Sequence, residues 1–188
     1  AASFTAPPLF GALLAALAMA AGLRAFMPAG QAALPLAGLA VLALPVVSSM
    51  QFYAGFPLRV ITAQASTWLL QAIGMAAQRS GTAMTVEGRL IIVDAPCSGV
   101  QMVWMAYFCA CAVAAFKATP DSNFLRRLPW VGVLVLCGNV LRNSVLVALE
   151  ARLASVPEVV HQAVGLAVLA LVCGAVVALM RGGSDARI

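Results

Sequence analysis

Five apolar runs, near residues 7–26, 31–48, 98–116, 129–149 and 159–180, leave this 188-residue chain little length from which to build a water-facing surface. About 20 mostly apolar residues, rising about 1.5 Å each, cross the hydrocarbon of a bilayer, and a helix hides its own backbone polar groups on the way. Only 9% of the residues are charged, where soluble domains carry about a quarter. The pattern predicts an all-α membrane protein: a polytopic helical bundle of five to six spans forming a single integral membrane domain over residues 1–188. No basic n-region precedes the first run and no obvious cleavage site separates it from the next apolar run, so residues 7–26 read as a retained span and not a signal peptide.

Two segments between the runs have a different character. Over residues 57–78, Gln64, Gln71 and Gln78 recur every seven positions beside Thr67, opposite a face with Ile61, Leu69 and Ile73. That spacing predicts an amphipathic helix in the membrane interface or against the bundle, with a sixth span as the alternative. Residues 82–93 read as two short β-prone runs around Glu87-Gly88, which predicts a small extracytoplasmic hairpin.

The net charge of +5 comes from basic residues scattered singly, without the clustered stripe and interleaved aromatics of a nucleic-acid surface. They set topology instead, because short cytoplasmic loops are enriched in Lys and Arg. Lys117, Arg126, Arg127, Arg181 and Arg187, with Arg24, then lie on the cytoplasmic side. Cys97, the end of the fourth run and His161 fall together on the other. The five cysteines show no CxxC or Cys/His ligand spacing, so neither a disulfide framework nor a metal site is expected, and no cofactor is implied.

Three residues stand out on chemical grounds. Cys97, in Asp94-Ala95-Pro96-Cys97-Ser98-Gly99, opens a long apolar helix, where the positive helix end and a nearby cation favour a nucleophilic thiolate. Arg142 lies within the fourth run, at a depth that costs a few kcal/mol or more unless it faces a cavity or partners. Asn139 and Asn143 share its part of the helix surface, which predicts one inward polar stripe. His161, the chain's only histidine, begins the fifth run and suits proton transfer near neutral pH. The blander readings are a buried small hydrophobe for Cys97, a snorkelling cation for Arg142 and a helix-end residue for His161.

Cys97-Ser98-Gly99, the Asn139-Val140-Leu141-Arg142 segment and His161 together resemble the exosortase and archaeosortase family of membrane cysteine peptidases. The similarity covers about residues 50–180 and includes Phe56-Pro57-Leu58-Arg59 and Val86-Glu87-Gly88. It implies an enzyme of the inner membrane that cleaves exported proteins bearing a C-terminal motif, a transmembrane helix and a basic cluster, and passes the new end to an acceptor. It implies Cys97 as nucleophile, His161 as general acid or base and Arg142 as stabiliser of the thiolate or oxyanion; Ser98, Gly99, Asn139 and Asn143 are the accompanying substrate-contacting or orienting residues. Gln101 stands where many relatives carry arginine, and Asp94 is offset from an acidic position next to the cysteine; both bear on substrate preference. Membrane lipid is the other expected partner, and oligomeric state is left open. Two rival classes remain: a non-enzymatic transporter or assembly factor using the Arg142 stripe as an anion path, and a membrane thiol oxidoreductase. The latter needs paired cysteines, which Cys109 and Cys111, about 200° apart on a helix, do not supply.

Overall fold

The computed structural model describes residues 8–26, 32–92, 98–153 and 156–182. The chain is mostly helical: α1 Pro8–Phe26, α2 Ala33–Leu42, α3 Val46–Ala72, α4 Val100–Phe116, α5 Asp121–Arg152 and α6 Glu158–Arg181, with strands β1 Ala77–Ser80, β2 Ala83–Val86 and β3 Arg89–Ile92 between α3 and α4. Among the described residues, α5 and α6 are each long and apolar enough to cross a membrane. The pair formed by α2 and residues Val47–Ala72 meets that standard jointly across a 90° bend, so the candidate spans number two to three. The apolar helix α4 has 17 residues, and the apolar part of α1 is Leu14–Phe26.

The core joins α4, α5 and α6. Met102, Ala106, Ala110 and Ala114 repeat every four residues down α4 and meet Val131 and Val135 of α5 and Val168, Val172, Val176 and Met180 of α6. With lipid outside as apolar as the core, such helices associate through close packing and not through exclusion of water, and small residues permit it. Gly138 is the tightest case: a Cβ there would stand 2.4 Å from Cγ2 of Val172.

The expected second run, 31–48, is broken. Pro45 precedes α3 and cannot continue α2. The freed carbonyl of Leu42 accepts a hydrogen bond from Trp104 Nε1 at 2.9 Å. The helix expected over 57–78 is also displaced. α3 starts at Val46, carries Pro57 within it, and stops near Gly74, whose φ of +84° is left-handed. Gln78 therefore lies in β1 instead of on the helix.

The faces of α3 differ in burial. Thr62, Ala63, Ser66, Thr67 and Leu70 are buried, while Ile61, Trp68, Leu69 and Ile73 are exposed. Small hydroxyl side chains of α3 point inward and several large apolar ones outward.

The hairpin is present and larger than expected. β2 and β3 pair antiparallel with Val86 opposite Arg89, around Glu87 (φ +50°) and Gly88 (φ +77°), the two positive φ values of a tight hairpin turn. β1 adds a third strand, Ala77 opposite Val86. Met84 and Val86 of the sheet pack with Ala63 and Leu70 of α3 and Val147 and Ala151 of α5. Gln71 Nε2 donates to the carbonyl of Ala77, and Arg79 Nε to Gln64 Oε1, so the glutamine face of α3 holds the sheet.

The two ends of the bundle differ in charge. Arg24 pairs with Asp121 in the first turn of α5, Asp121 Oδ1 accepts from the Leu34 backbone at 3.0 Å, and Arg127 donates to the carbonyl of Met180. This end gathers Arg24, Lys117, Arg126, Arg127 and Arg181, the residues expected to share the cytoplasmic side; Arg187 lies outside the described residues. The sheet, the end of α5 and the start of α6 occupy the other end.

Candidate active site

Gly99 caps α4 with φ +80°, and Ser98 before it is buried. Ser98 Oγ donates to Gln51 Oε1 of α3 at 2.9 Å and accepts from the Val100 amide at 3.4 Å. On the α5 side, a Cβ on Gly99 would lie 2.7 Å from Cγ and Nδ2 of Asn139. Ser98-Gly99 is thus seated between α3 and α5. Cys97 and Asp94, which precede it in sequence, lie outside the described residues.

Asn139 and Asn143, both buried, face α3. Asn139 Nδ2 donates to Thr62 Oγ1 at 2.9 Å, and Asn143 Nδ2 to Ser66 Oγ at 2.9 Å. Ser66 Oγ in turn donates to the carbonyl of Val140 at 3.3 Å. Inside a bilayer each of these polar groups needs a partner within the protein, and the two helices supply them to one another.

Arg142 turns to another neighbour. Its guanidinium packs on α6 at Gly165, where a Cβ would stand 3.2 Å from Nε. It lines an open cleft of about 580 Å³ between the start of α3, α4, α5 and α6, with Gln101, Gln162, Met105, Trp104 and Leu166 among the walls. The cleft is mostly apolar, so a cation in it acts with less screening than at a wet surface.

His161, half-buried, sits one turn before Gly165 on α6, and its Nε2 lies 3.7 Å from Oε1 of Glu150 near the end of α5. Three contacts therefore mark one antiparallel α5/α6 seam: Gly138 with Val172, Arg142 with Gly165, Glu150 with His161. The expected single polar stripe divides, the asparagines going to α3 and the arginine to α6. Sequence reasoning passed over Thr62, Ser66, Gln51 and Gly165. Thr62 and Ser66 are spaced i, i+4, which was their one available signal. No three of His, Cys, Asp and Glu gather among the described residues as metal ligands would.

A family model described as Transmembrane exosortase (Exosortase_EpsH) matches residues 1–178. No curated protein and no solved structure matches the chain.

Proposed function

This chain belongs to the transmembrane exosortase family, and from that premise we propose that it is a membrane cysteine peptidase and transpeptidase that cleaves a C-terminal sorting signal from exported proteins. Its substrates carry a short motif, a transmembrane helix and a basic cluster. The reaction takes place at the extracytoplasmic face of the inner membrane, in one domain of five to six spans to which α1 and α4 contribute.

The observation that carries the reading is the contact of Gly99 with Asn139. It sets the helix start that follows Cys97 against the helix that bears Arg142 three residues later. Cys97 directly precedes Ser98 in the sequence.

In the proposed reaction the Cys97 thiolate attacks the scissile carbonyl carbon, forming a C–S bond and a tetrahedral oxyanion. Arg142 stabilises that oxygen, a role in which removing one donor typically costs about 3–4 kcal/mol. The C–N bond breaks as protonated His161 gives its proton to the departing amine. Water or an acceptor amine, deprotonated by His161, then displaces the thiolate from the thioester and regenerates the enzyme.

The test is a co-expressed reporter with such a C-terminal tail. Cys97→Ala, present in the membrane at the parent's level, abolishes processing, and mass spectrometry of the parent finds an acyl adduct on Cys97. Processing by Cys97→Ala at the parent's rate sinks the assignment.

A further inference from the structure

We infer that Glu150 is the positioning residue for His161, which makes the working unit of the α5/α6 seam a carboxylate and imidazole pair. The inference rests on the proposed peptidase reading and deepens it.

Two carboxylates lie near the imidazole. Glu158, three residues earlier on the same helix, accepts a hydrogen bond from Gln162 Nε2 at 3.2 Å and is thereby turned along its own helix. Glu150 instead reaches His161 from the opposing helix, Oε1 to Nε2 at 3.7 Å, with 32% and 27% of the two side chains exposed. That separation exceeds a hydrogen bond of about 2.7–3.2 Å, and catalytic hydrogen bonds commonly shorten to that range only when substrate is bound.

The position of Glu150 is itself fixed. Arg89, the first residue of β3, donates from Nη1 to the carbonyls of Glu150 and Leu153, the latter at the C-cap of α5. The last carbonyls of a helix lack intrahelical donors, and a guanidinium that satisfies two of them holds the final turn in place. The sheet thus clamps the turn that carries Glu150, and Glu150 faces the one imidazole of the chain.

A carboxylate on one ring nitrogen selects the tautomer and leaves the other nitrogen for proton transfer, and it stabilises the imidazolium formed when the ring takes a proton. A general acid or base at a half-exposed helix start needs such an anchor, because a freely rotating ring spends little time in the productive pose.

The experiment uses the full chain in membranes with the tailed reporter, comparing Glu150→Ala, Glu150→Asp and His161→Ala with the Glu150→Ala/His161→Ala double variant. Membrane level and thermal stability are measured for each. Glu150→Ala lowers kcat about ten- to a hundred-fold with KM little changed, Glu150→Asp recovers part of the loss, and Glu150→Ala costs nothing further once His161 is alanine. Full activity of Glu150→Ala beside an inactive His161→Ala overturns the positioning role and leaves the peptidase reading intact, as does an equal loss from Glu150→Ala in both backgrounds. Full activity of His161→Ala removes His161 from the reaction, and Glu150 with it.

Discussion

The carboxamide of Asn139 fills the space that a side chain on Gly99 would need, 2.7 Å from the Cβ position. Two segments 40 positions apart in sequence are thereby locked together at the head of α4. The backbone of Gly99 adds a second restriction, since its φ of +80° suits a residue without Cβ.

Gly99→Ala is accordingly expected to lose on both counts. The left-handed conformation costs about 1–2 kcal/mol for an alanine, and the methyl group must displace Asn139 from Thr62. Thermal unfolding in detergent should show a destabilisation of about 2–4 kcal/mol, and reporter processing should fall with it. Gly99→Ala/Asn139→Ala removes the clash alone, so it should regain part of the stability and not the activity.

The asparagine contacts with α3 can be weighed by a double-mutant cycle on Ser66 and Asn143. Hydrogen bonds between helices in a membrane are worth about 0.6 kcal/mol on average and rarely more than about 1.7, because the unfolded chain in lipid also finds partners. Ser66→Ala and Asn143→Ala should couple by about 0.5–1.5 kcal/mol in unfolding. A coupling near zero would show that the 2.9 Å contact contributes nothing net.

How much of this was legible beforehand depends on the residue. Arg142 and the two asparagines announce themselves because a charge or a carboxamide in an apolar run is costly and must be housed. Thr62 and Ser66 do not, since small hydroxyls occur cheaply in any membrane helix, and only the α5 contacts reveal their use. The hairpin was readable at Glu87-Gly88, where turn chemistry is local. β1 was not, because its four residues become a strand only by pairing with β2, and Gln78 continued a seven-residue rhythm that Gly74 interrupts. The break between α2 and α3 escaped for the same reason: hydropathy measures apolar length and is silent on direction.

The α5/α6 seam offers a test of packing. At Gly138 an added Cβ meets Cγ2 of Val172 at 2.4 Å, and a β-branched side chain in a helix has little rotamer freedom with which to yield. Gly138→Ala should therefore part the helices locally and destabilise by about 1–3 kcal/mol. Gly138→Ala/Val172→Ala should recover most of that loss in the same unfolding measurement, whereas Val172→Ala alone leaves a cavity and costs about 1–2 kcal/mol.

Arg142 separates function from stability most cleanly. A guanidinium against Gly165 in a largely apolar cleft is costly to desolvate, and a methionine keeps the packing of the apolar stem without that cost. A residue retained for structure should lose stability when it is replaced; one retained for chemistry should lose rate. For Arg142→Met the expectation is a melting point equal to or above the parent's, with reporter processing reduced about 10²- to 10³-fold, the usual cost of removing one oxyanion donor. Arg142→Lys keeps the charge without the planar fork and should fall between the two in rate. If Arg142→Met unfolds at a markedly lower temperature while its remaining folded fraction processes the reporter normally, the arginine belongs to the scaffold of the seam and not to the reaction.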